Sequence, residues 1–161
     1  MRTMWGVCTK ILIASLTLFF GVILRSQDHA ANEDLRSRLT GAWRLVWMED
    51  QGADGKVHRF ERMGMLDFSR DGHMSVQIMA RNPSELPAAE ATKYYQGGYA
   101  AYYGRYELNE RARTITYHVE GALVQTLIGT DLIRKYEFQG SQLVIKPVRP
   151  DEHWVFAWER Y

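Results

Sequence analysis

From residue 41 onward, apolar and polar residues alternate in short runs broken by turn-forming residues, the pattern of antiparallel strands with one buried face. The first run, about Ala42 to Met48, puts Trp43, Leu45 and Trp47 on one face by the two-residue period. Met63 to Phe68 and His73 to Met79 make the clearest hairpin, because Asp71-Gly72 between them supplies the positive backbone dihedral a tight turn needs. On its second arm Met74, Val76 and Ile78 face one way, and His73, Ser75, Gln77 and Met79 the other. Tyr106 to Leu108 with Thr114 to Glu120 reads as another hairpin, and Leu132 to Phe138 with Gln142 to Lys146 as a third. Trp154 to Tyr161 is the last strand, with Trp154, Phe156 and Trp158 aligned. A short extended piece at Val57 to Phe60 comes in addition to these eight strands.

The interruption is Ser84 to Tyr103. Ser84 can cap a helix, Pro87 is tolerated in a first turn, and Ala88 to Tyr95 is good helix material. Gly97-Gly98 divides the segment, so it holds one helix or two short ones. Tyr95, Tyr99 and Tyr102 recur at helical spacing, a stripe that either buries against a barrel mouth or forms a lid with its phenols on a ligand. The predicted fold is all-β: an antiparallel up-and-down β-barrel of about eight strands, with one helical segment between strands three and four.

The first 26 residues follow another rule. Arg2 and Lys10 give a positive start, and Ile11 to Leu24 is an almost unbroken apolar run of 14 residues. That is the layout of a secretory signal, and the run is short for a bilayer span of roughly 20 residues. Residues 1–26 are therefore read as a cleaved signal peptide or an uncleaved inner-membrane anchor, 27–38 as a tether, and 39–161 as the barrel domain. Either way the barrel lies outside the cytoplasm, periplasmic or secreted. Without Arg2, Lys10 and Arg25 the remainder carries 17 basic and 19 acidic residues, a net charge of −2. Such a surface does not recruit phosphate backbones, which argues against nucleic acid as a partner. The single cysteine, Cys8, lies in the leader, so the domain has no internal disulfide and depends on its core.

Several segments together resemble the lipocalin-like domains of bacterial and fungal proteins. They are Gly41-Ala42-Trp43-Arg44-Leu45-Val46, Asp71 through Met79, Tyr103-Gly104-Arg105-Tyr106-Glu107, Tyr117-His118-Val119-Glu120-Gly121 and Trp158-Glu159-Arg160. The Gly41-x-Trp43 opening is similar to that of classical lipocalins, in which the tryptophan closes one barrel end under an arginine. The resemblance implies that role for Trp43 and for Arg160 or Arg134. The domain departs from a classical lipocalin in being shorter, in lacking its disulfide and in placing the helix between strands three and four. The resemblance implies a barrel, and few members of the family have an assigned activity.

The candidate chemistry is sparse. His118 and Glu120 are two apart in a strand and so share a face, where a carboxylate can orient an imidazole for acid–base work. If Ile115, Tyr117 and Val119 line the lumen instead, the pair sits outside as surface residues. Arg134 shares a face with Tyr136 and Phe138 and could bind a carboxylate, stack on a ring or pack over a tryptophan. Tyr106, Tyr117 and Gln77 are further candidate lumen contacts, beside Tyr99 and Tyr102. No metal site is expected, since the histidines at 58, 73, 118 and 153 lack zinc-motif spacing, and no cofactor fingerprint occurs. Three functions remain open. The first is binding of a small hydrophobic or amphipathic molecule in the lumen. The second, less favoured, is an isomerase or cyclase using His118 and Glu120. The third is a membrane-tethered interaction module with a filled barrel. Oligomeric state is left open by the sequence.

Overall fold

A computed structural model of the chain describes residues 34–52, 54–82 and 94–161. The leader, most of the tether and the centre of the segment read as helical lie outside the described residues. A short helix, α1, spans residues 34–39. Among the described residues nine strands follow: β1 (Gly41–Gln51), β2 (Val57–Phe60), β3 (Arg62–Phe68), β4 (His73–Ala80), β5 (Tyr99–Asn109), β6 (Thr114–Ala122), β7 (Asp131–Gln139), β8 (Gln142–Pro147) and β9 (Val155–Arg160). All pairings are antiparallel between neighbours, and β1 also pairs with β9, which closes the sheet into a barrel. β2 pairs with Met48 to Gln51 and β3 with Gly41 to Arg44, so the two share one edge of β1 and the barrel has eight staves.

Period-two alternation builds the interior. Leu66 and Phe68, Met74, Val76 and Ile78, Ile115, Tyr117 and Val119, and Leu143 and Ile145 are all buried, while the residues between them mostly face out. The aligned row near the C-terminus is present, with ring centroids 5.0 Å apart for Trp154 and Phe156 and 6.0 Å apart for Phe156 and Trp158.

One end of the barrel is closed by packing. Leu35 and Leu39 of α1 are buried, and the Trp43 indole N–H donates to the Leu39 carbonyl at 2.8 Å. Of the two arginines considered for the plug, Arg160 is the one over Trp43, with its guanidinium 4.5 Å from the ring centroid. It donates to the carbonyls of Thr40, at 2.7 Å, and Arg38, tying α1 to β9. A Cβ on Gly41 would lie 2.8 Å from that guanidinium, and its φ of +120° disfavours any other residue. The Gly41-x-Trp43 spacing thus has a steric cause.

Two details differ from the alternation read in the sequence. Trp47 does not share the face of Trp43 and Leu45, because the pairing with β9 shifts between Leu45 and Trp47. That bulge turns Met48 inward and leaves Trp47 outside under Arg59, 5.1 Å from its ring. Tyr99 to Tyr103 are not helical but form the start of β5. Gly97 and Gly98 take φ of 60° and 73°, a turn that feeds the chain directly into the strand.

Candidate functional site

The half of the barrel away from α1 is hollow. A cavity of about 420 Å³ runs from Leu66, Val76, Tyr117, Ile145 and Trp158 toward Asp50 and Arg62 near the ends of their strands. Its volume falls within the range of small-molecule sites, and its walls are mostly aliphatic and aromatic. The wall includes two small residues, Gly98 and Ala100, which take up little of the space. The opposite half is packed with rings: Phe68 stacks edge-on against Tyr106 at 5.0 Å, and Trp43 lies 6.3 Å from Phe138.

Whereas Asp50 and Arg62 are only half-buried, Arg134 is the fully buried charged group in this wall. It projects inward from β7 in line with Leu132 and Tyr136, and only 3% of it is exposed. Its guanidinium lies over Trp154 at 4.7 Å and Tyr94 at 5.2 Å. Glu152 faces it at 3.5 Å, too long for a tight ion pair. The Glu152 carboxylate is engaged elsewhere, accepting from the Tyr94 hydroxyl at 2.8 Å and the Trp154 indole at 3.2 Å, with Arg149 at 3.5 Å. Burial pushes the phenols of Tyr102 and Tyr117 above the usual tyrosine range, so both stay neutral and able to donate at any physiological pH. Burial likewise raises Tyr95, whose side chain also lines the cavity.

The residues singled out from the sequence separate into three groups. Tyr102, Tyr117 and Arg134 line the cavity. Tyr106 and Tyr136 point inward but belong to the packed half, where the Tyr106 hydroxyl donates to the Ser69 carbonyl at 3.0 Å and Tyr136 packs edge-on against Phe138. Gln77 and Tyr99 sit on the outer face, joined by a 3.4 Å hydrogen bond.

His118 and Glu120 are also outside. Tyr117 and Val119 take the inward positions, as the alternative reading required. The His118 imidazole pairs with Asp131 at 2.7 Å, with Glu107 3.7 Å from its other nitrogen, and Arg105 approaches Glu120 at 3.4 Å. Pairs this exposed contribute at most about 1 kcal/mol each. Their geometry describes a charged ladder across β5, β6 and β7, not an acid–base pair facing the lumen.

Sequence reasoning missed Arg62, Asp50 and Glu152. Arg62 carries a signal, since it continues the inward row of Phe68, Leu66 and Gly64 by period two. Glu152 lies before β9, where no periodicity applies, and only the fold brings it to Arg134.

Residues 40–160 match the model of the lipocalin-like domain family. The chain belongs to that family. Solved structures are similar as well, among them a lipocalin-like protein from Bacteroides uniformis, with 16% identity, a TM-score of 0.45, and coverage of 77% of this chain and 99% of that one. Among curated proteins none matches the sequence.

Proposed function

We propose that this lipocalin-like domain binds one small hydrophobic or amphipathic molecule in its lumen, outside the cytoplasm. The observation that carries the reading is the 420 Å³ apolar cavity with a buried arginine in its wall. A barrel stabilised only by its core would gain by filling that space, since each buried methylene is worth about 0.8 kcal/mol. A filled interaction module is therefore the poorer account. A lumenal isomerase or cyclase is poorer too, because His118 and Glu120 face away from the cavity. Export rests on the positive start and the 14-residue apolar run that precede the domain.

The test is titration of the protein with decanol and decanoate, following tryptophan emission and the melting temperature. Trp154 and Trp158 line the cavity and report its occupation. Saturable change in both signals with at least one probe is expected. Flat responses to both would count against a lumenal ligand.

A further inference from the structure

Among the described residues, the buried side-chain nitrogen and oxygen atoms without a hydrogen-bond partner are Arg62 Nε, Tyr117 Oη, His118 Nε2, Arg134 Nε and Trp158 Nε1. All but the one on His118 belong to residues lining the cavity. Three of these four are N–H groups that can only donate, and the fourth is a phenol that can donate. Buried polar atoms are ordinarily satisfied, so four donor-capable groups without a partner on residues of one cavity wall favour a ligand that brings an acceptor.

Resting on the reading of the lumen as a ligand site, we propose that the ligand carries a carboxylate head seated against Arg134 and Tyr117, with its apolar body alongside Ile78 and Ala100. Tyr117 lies deep, its ring 6.1 Å from Phe68 of the packed half and 6.4 Å from Tyr102. Arg134 has five N–H donors, and its contacts to Glu152 and to the Ile133 carbonyl are both 3.5 Å long. The guanidinium is thus held in place by Trp154 and Tyr94, it also engages the Tyr94 and Tyr102 phenols, and its Nε is left without a hydrogen-bond partner. A carboxylate matches the planar fork and brings one negative charge. A dianionic phosphate would place twice that negative charge beside Glu152, and an amine would set donors against donors.

The experiment is calorimetric titration of the whole protein with decanoate, decanol and decylamine, which share a tail and differ in the head. Decanoate is expected to bind at least about tenfold more tightly than decanol, with decylamine weakest. Arg134→Met removes the preference for decanoate over decanol, and Tyr117→Phe reduces it. Should Arg134→Met fail to fold, the wild-type series and Tyr117→Phe still decide. Decanol binding as tightly as decanoate would overturn the carboxylate assignment, leaving the donors to water, while the lumenal reading stands. Binding of none of the three would overturn both.

Discussion

Replacing Ala100 by leucine separates a real cavity from a packed core by the sign of its effect. Ala100 points inward from β5 opposite Ile78, is 3% exposed, and lines the cavity. Leucine adds three carbons, which at about 0.8 kcal/mol each gain roughly 2.4 kcal/mol when buried in vacant apolar space. Ordering the longer side chain costs about 0.5–1 kcal/mol, leaving a gain of roughly 1.5–2 kcal/mol. Unfolding entropy of about 2.1 cal/mol/K per residue over roughly 120 residues converts that gain to a rise of about 6–8 °C in Tm. The domain spans residues 40–160, which sets that length. The same side chain occupies the ligand's space, so the variant should be more stable yet lose the shift produced by decanol or decanoate. Ala101→Leu, on the outer face of the same strand, controls for strand propensity and should keep the ligand response. Paired melting curves with and without probe make the measurement. A packed interior would respond oppositely, losing about 1–3 kcal/mol to overpacking. A lowered Tm for Ala100→Leu would therefore refute the reasoning.

Other perturbations test the frame around the cavity. A Cβ at Gly104 would lie 1.9 Å from the His118 carbonyl oxygen, at the bulge between β5 and β6, so Gly104→Ala should cost more than about 2 kcal/mol in a urea titration. Wild-type stability in that variant would mean that the two strands are not held this closely. Hydrogen bonds from Ser69 and then from His73 hold Asp71 at a pKa of about 2, below its ordinary 3.8. A depressed carboxylate stabilises the fold above its unfolded pKa and loses that contribution as pH falls through the folded value. The Tm gap between wild type and Asp71→Asn should accordingly be widest at neutral pH and close between about pH 4 and pH 2. A gap that stays constant over that window would rule this out. Arg160→Ala removes two hydrogen bonds to the carbonyls before β1 and the stack on Trp43, at a cost of about 1–3 kcal/mol. Limited proteolysis should then cut near α1 first, and uniform resistance would contradict that role.

What the sequence revealed was local. The Asp71-Gly72 turn needs a residue free to take positive φ, and Gly72 has a φ of 91°. The rows ending in Ile78 and Val119 follow from strict alternation along their strands. Alternation fails where a strand is bulged, which is why Trp47 was placed with Trp43 when it faces outward. Tyr99 and Tyr102 fit a helical period because three-residue spacing in a short aromatic run does not distinguish a helix from opposite faces of a strand. Of the site itself, Arg134 and Tyr117 were visible as lumen candidates, while alternation alone left open which face of β6 points inward. Glu152, which faces Arg134, depends on long-range closure of the barrel and left no local sign.

The central claim, one small molecule held inside the barrel, is tested most directly by native mass spectrometry of the whole protein as the cell processes it, beside Ala100→Leu. The expected result is a single extra mass on the wild type that leaves on mild activation and is missing from the variant. Bare protein in both samples, with no thermal shift from decanol or decanoate, would contradict the claim. So would an identical adduct on both, since a molecule indifferent to Ala100→Leu is not bound in the lumen.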